Sequence, residues 1–143
     1  MENKEQNRSI QESKYKLGDI FRARIEDSEA LLFDRKKGRQ LSRLLVSDAV
    51  PLEDNKNLVI TIGNRYVDYL KGGKEAMEIR TGKLVDVKLE NGVASLYDKR
   101  SFQPIAYLRY NTHVSPLETM AFISAVVDDY EKYMRLINKY FNG

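Results

Sequence analysis

Apolar and polar positions along this chain repeat with two different periods. Asp19 to Ile25 alternates, with Phe21, Ala23 and Ile25 on one side and Arg22 and Arg24 on the other, the pattern of a half-buried strand. Ala30 to Asp34 is a short apolar run, with a turn offered by Lys37-Gly38. Leu41 to Val46 has two readings: Leu41, Leu44 and Leu45 fit a short helix or irregular turn, and a hairpin across Arg35–Arg39 would make the run a strand. The helix or turn is expected, ending before Pro51, with a loop over 51–57.

Leu58-Val59-Ile60-Thr61-Ile62 is a β-branched run that predicts a buried strand. Gly63-Asn64 suits a two-residue hairpin turn. Residues 65–70 would then return as a strand, with a helix capped by Asn64 as the alternative. Lys71-Gly72-Gly73-Lys74 breaks the chain, Met77 to Arg80 alternates, and Thr81-Gly82 turns.

Leu84 to Glu90 alternates well, with Val85, Val87 and Leu89 on one face and Asp86, Lys88 and Glu90 on the other. Asn91-Gly92 follows, the pair best suited to a hairpin turn whose two central residues need φ > 0. A two-residue loop sets Leu89 opposite Ala94 and Val87 opposite Leu96, so turn chemistry and alternation demand the same register. A further strand is expected over 105–110.

The period then changes to that of a helix. Ser115-Pro116-Leu117-Glu118 combines a Ser cap, Pro at the first helical position and Glu three residues after the cap. Neither Pro nor Gly interrupts residues 117–142, room for about 39 Å of helix at 1.5 Å per residue. Met120, Ile123, Val127, Tyr130, Met134, Ile137 and Phe141 form an apolar stripe, widened by Val126, Tyr133 and Tyr140. No internal repeat and no low-complexity segment is expected.

These patterns define the fold class as α+β: an antiparallel β-meander, as a twisted sheet or half-barrel, packed by one long C-terminal helix over 115–142. Residues 1–16 read as a flexible polar tail and 17–143 as a single domain of ordinary size. The order of many strands and a terminal helix resembles pleckstrin-homology-like domains at the level of fold alone, which implies no function.

Composition narrows the function classes. Hydrophobic residues make up 42% of the 143 and charged residues 31%, so a globular domain is expected rather than disorder. No apolar run approaches the ~20 residues of a spanning helix, and no secretory leader is visible, so membrane insertion is not expected and a cytoplasmic setting is. Cysteine is absent, which excludes disulfides, thiol nucleophiles and cysteine-ligated metals.

His113 is the single histidine, and it reads as a loop residue at a strand–helix junction before it reads as a general base. Asp128-Asp129, Glu53-Asp54 and Glu26-Asp27 read as solvated charge. Around Gly72-Gly73-Lys74, Val67 and Glu75 stand where a phosphate loop needs Gly and Ser or Thr. No enzyme, cofactor or metal is expected.

The net charge is +3, from 24 Lys and Arg against 21 Asp and Glu, and it is spread thinly. The exception is residues 35–43, where Arg35, Lys36, Lys37, Arg39 and Arg43 meet no anion. That cluster could bind nucleic acid or another polyanion, although no aromatic residues interleave with it as stacking platforms require.

The helix is the stronger candidate, because its distal half would overhang a strand of ordinary length. A protein-interaction or assembly module is therefore expected, taking a protein partner or a second copy on Tyr130, Tyr133, Met134, Ile137, Tyr140 and Phe141. The alternative is a nucleic-acid-binding accessory protein using residues 35–43.

Overall fold

A computed structural model describes residues 21–71 and 83–142, with side chains as far as Tyr140. The expected tail, Gly72-Gly73-Lys74, the alternating residues 77–80, the turn at Thr81-Gly82 and the side chain of Phe141 lie outside the described residues.

Three strands come first: β1 (Phe21–Glu26), β2 (Glu29–Asp34) and β3 (Gln40–Leu45). A helix follows, α1 (Leu52–Lys71), then β4 (Val85–Glu90), β5 (Val93–Asp98), β6 (Pro104–Arg109) and the long C-terminal helix α2 (Pro116–Asn142). All six strands join one antiparallel sheet in the order β1-β2-β3-β6-β5-β4. The α+β class, the antiparallel sheet and the C-terminal helix are as expected.

The β4–β5 hairpin has the expected register, Val87 opposite Leu96 and Leu89 opposite Ala94, closed by Asn91 and Gly92, both at positive φ. Helix α2 begins at Pro116, and Ser115 Oγ accepts a hydrogen bond from Glu118 N at 3.2 Å.

Two local expectations are overturned. Residues 40–45 are a strand, because β3 is held on both edges, by β2 and by β6. Residues 52–71 form one helix where a loop and a hairpin were expected. Its buried residues Asn55, Leu58, Val59, Ile62, Tyr66 and Tyr69 recur every three or four positions. Burial of that face outweighs the strand preference of Val59, Ile60, Thr61 and Ile62, because packing supplies most of a helix's stability. With α1 between the two sets of strands, the likeness to pleckstrin-homology-like domains lapses.

The chain also contains a repeat. The unit β1-β2-β3-α1 recurs as β4-β5-β6-α2 at a constant offset of 64 residues, from Phe21 against Val85 to Leu52 against Pro116. Strand and connection lengths are the same in both. The register shift after Leu32 recurs after Leu96. Gly38 and its counterpart Phe102 both take positive φ, 67° and 61°. Asp34 Oδ1 accepts from Lys36 N, and its counterpart Asp98 Oδ1 from Arg100 N.

The units are identical at Glu26/Glu90, Ala30/Ala94, Leu32/Leu96, Asp34/Asp98, Leu44/Leu108, Val50/Val114, Tyr66/Tyr130 and Tyr69/Tyr133. Such sparse identity hides the repeat from inspection of the sequence. The β3–β6 junction pairs Ser42 with Leu108, Arg43 with Tyr107 and Leu44 with Ala106. Arg43 and Tyr107 are counterparts, so an approximate twofold axis passes between them.

Both helices cover one sheet face, and the core lies between the layers: Phe21, Leu32, Leu44, Leu96 and Leu108 from the sheet, and Ile62, Ile123 and Val126 from the helices. The repeated tyrosines fasten the layers together. Tyr66 Oη donates toward Arg109 O at 2.7 Å, with Leu41 O at 3.0 Å, and Tyr130 Oη donates to the counterpart carbonyl, Leu45 O. Tyr69 Oη accepts from Asn111 N, and Tyr133 Oη accepts from Ser47 N.

Among the described residues no helix is long and apolar enough to cross a membrane.

Candidate cationic cleft

The repeat creates two counterpart clefts, one beside each tyrosine-bearing helix. The smaller, about 290 Å³, lies between β3, β6 and α2 and is lined by Leu45, Leu84, Ile105, Tyr130, Met134 and Ile137, among others. The larger, about 910 Å³, lies between the β2–β3 connection, the end of β6 and the last turn of α1. Its inner wall is Phe21, Leu41, Tyr66 and Tyr69, with Leu70 and Tyr110 nearer the rim.

Among the described residues four basic side chains border the larger cleft: Lys36, Lys37, Arg39 and Arg109. Asp34 is the one carboxylate in its lining among the described residues. That carboxylate is engaged by Lys36 N at 2.9 Å, while Gly38 N donates to Asp34 O and Asp34 N donates to Arg39 O. These bonds hold the connection in a tight loop, and Gly38 supplies the positive φ it needs. Arg109 Nε donates to Gln40 O at 3.1 Å, which anchors the guanidinium at the mouth. None of Lys36, Lys37 and Arg39 has an ion-pair partner among the described residues.

The smaller cleft serves as an internal comparison. It keeps the tyrosine, Tyr130, and the loop aspartate, Asp98. Of the four cationic positions only the counterpart of Lys36 remains basic, as Arg100; the others are Ser101, Gln103 and Leu45. The concentration of charge is therefore not a requirement of the fold.

Of the expected basic cluster, the structure brings Lys36, Lys37 and Arg39 to the cleft and sends Arg43 elsewhere. Arg43 lies on the sheet face away from the helices, 2.9 Å from Glu29 and over the ring of Tyr107. Arg35 is exposed in the same connection, outside the cleft lining. On that outer face Arg22 and Arg24 sit over Phe33, so aromatic rings do interleave with cations in space, though not along the sequence.

Arg109, Tyr110 and His113 belong to the cleft lining and were not foreseen there. Arg109 comes from a strand remote in sequence, and only the β3–β6 pairing sets it beside the β2–β3 connection. His113 is in the loop expected of it, with its backbone N donating to Asn111 Oδ1.

The helix residues divide. Tyr130 and Tyr133 are buried, and Tyr133 Oη bonds Asn55 Oδ1 at 2.6 Å. Desolvation pushes both phenols above their ordinary pKa. The expected overhang thus fails at Tyr133, because α1 and the sheet cover that turn of α2. Met134 and Ile137 are partly buried in the smaller cleft, and Tyr140 is 49% exposed.

The expectation of solvated carboxylates also fails, at Asp129. It is buried and receives Arg65 Nε at 2.8 Å and Nη2 at 3.0 Å. Among the described residues no three His, Asp or Glu side chains group as a metal site would.

Comparison with protein-family models, curated proteins and solved structures returns no match.

Proposed function

We propose that this protein is a non-enzymatic interaction module that holds an acidic, partly apolar polypeptide segment in the cationic cleft. The observation that carries the reading is the contrast between the two clefts: among the described residues, one is ringed by four cations and the other holds a single one. Burial of Tyr130 and Tyr133 favours this cleft over α2 as the place for a partner. Carboxylates on a bound segment would meet Lys36, Lys37, Arg39 and Arg109, and apolar side chains would meet Leu41, Leu70 and Tyr110.

A peptide is favoured over nucleic acid because the cations surround one concave site. The remaining arginines of the sheet lie on the other face, Arg43 and Arg24 beside Glu29 and Glu26. A cytoplasmic setting belongs to the same proposal, since a chain without cysteine needs no oxidising compartment.

Fluorescence anisotropy tests it, with a labelled peptide of alternating Glu and Leu and with an oligothymidylate of similar length, each at two salt concentrations. The peptide is expected to bind with an affinity that falls as salt rises. Lys37→Glu with Arg39→Glu should weaken it at least tenfold, whereas Ser101→Glu with Gln103→Glu, at the counterpart positions, should not. Absence of peptide binding at low salt, or indifference to the first pair of changes, overturns the reading. Tighter binding of the oligonucleotide establishes the nucleic-acid alternative instead.

A further inference from the structure

Strand β4 is one edge of the sheet, and β5 is its one strand neighbour among the described residues. Its core-side residues Val87 and Leu89 are 37% and 41% exposed. Their counterparts on the opposite edge, Ala23 and Ile25, are 0% and 9% exposed, because α1 lies close over β1 and β2 and α2 does not approach β4 in the same way. In a two-residue hairpin the closing residues, here Glu90 and Val93, bond each other. By alternation, the backbone N–H and C=O groups of Val87 and Leu89 point away from β5, to the outer edge. Among the described residues only the start of the strand is blocked, where Glu131 Oε2 accepts from Leu84 N at 2.7 Å and Val85 N at 3.1 Å.

We propose that this edge pairs with the same edge of a second copy, antiparallel and centred on Val87. The charges argue for a second copy as the occupant. In that register Asp86 stands opposite Lys88 of the other copy, twice over by symmetry, and Val87 meets Val87 on the core side. Shifting the centre to Lys88 sets Lys88 against itself and Asp86 against Glu90. Shifting it to Leu89 runs the pairing into the Asn91-Gly92 turn.

The opposite edge lacks this self-complementarity, since a pairing centred on Ala23 sets Arg22 against Arg24. The molecule already contains such a junction, because β3 and β6 meet antiparallel across the internal twofold. Pairing at β4 extends the sheet to twelve strands with all four helices on one face, and it uses none of the cleft cations.

Sedimentation velocity between about 5 µM and about 500 µM tests the pairing, a range suited to a small interface of micromolar affinity. The unaltered chain is expected to pass from monomer to dimer over that range. Asp86→Lys alone and Lys88→Asp alone should each raise the dimer dissociation constant at least tenfold, with circular dichroism unchanged. Asp86→Lys combined with Lys88→Asp should restore it. A monomer at every concentration, a dimer indifferent to the single changes, or a double variant that stays dissociated overturns the proposal. So does a dimer lost on Ile137→Asp and untouched by the β4 changes.

Discussion

Arg65 and Asp129 occupy the same place in the two units of the repeat, and the fold sets them face to face between the helices. In a symmetric pair of separate chains that place would hold two like charges. A single chain can make one position cationic and the other anionic, and the result is a two-bond guanidinium–carboxylate contact. The hydrogen bond to Asp129 raises the Arg65 pKa further, aided by the charge of Asp129 and against desolvation.

The two partners are not equally buried, with Arg65 37% exposed and Asp129 7%. Arg65→Ala should therefore cost about 3 kcal/mol, since it strands a buried carboxylate. Asp129→Ala should cost less, about 1–2 kcal/mol, because Arg65 can turn to water. Exchanging the two, Arg65→Asp with Asp129→Arg, should recover most of the loss by the approximate twofold. Urea denaturation of the four proteins measures this, and an exchange no better than the worse single change would contradict the symmetry argument.

At the scale of elements, the two five-residue connections offer a controlled comparison. Gly38 and Phe102 adopt the same left-handed conformation, but only Gly38 lacks the Cβ that opposes it. Phe102 is also 75% exposed, so its ring contributes little packing against that strain. Phe102→Gly is expected to stabilise the protein by about 0.5–1 kcal/mol, after the extra freedom of glycine in the unfolded chain is subtracted. Calorimetry should show the melting temperature rising by a few degrees, and a fall would show that the ring has a role in packing.

Legibility in the sequence also differs by element. The β4–β5 hairpin and α2 were readable because their signals are local: Asn-Gly for a turn that needs φ > 0, and Ser-Pro-x-Glu for a helix start. Helix α1 is not legible locally because Val59 to Ile62 favours a strand, and the apolar spacing from Leu58 to Tyr69 shows only over the length of the whole element.

At the scale of the molecule, the tyrosines tie stability to alkaline pH. Tyr66, Tyr130 and Tyr133 all have phenol pKa values raised above 10, by desolvation first of all. Between pH 10 and those raised values the unfolded chain loses protons that the folded chain keeps, so folding stability falls as pH rises. Below pH 10 their contribution is fully present. Unfolding free energy should decline above about pH 10, by up to roughly 1.4 kcal/mol per pH unit for each buried phenol. In Tyr66→Phe the decline should be shallower, and an unchanged slope would remove Tyr66 from the account.

The sequence by itself determined what short-range chemistry decides: the hairpin turn at Asn91-Gly92, the start of α2 at Ser115-Pro116, and the basic run whose Lys36, Lys37 and Arg39 enter the cleft. Tertiary structure alone decided that residues 52–71 are helical, that two sparsely identical units form one sheet, and that Tyr130 and Tyr133 are buried. It also brought Arg109 beside Lys36, Lys37 and Arg39 and left Val87 and Leu89 uncovered. The reason is that each of these depends on which surfaces meet across a separation of many tens of residues. Pairing and burial free energy act there, and no local pattern of apolar and polar positions records them.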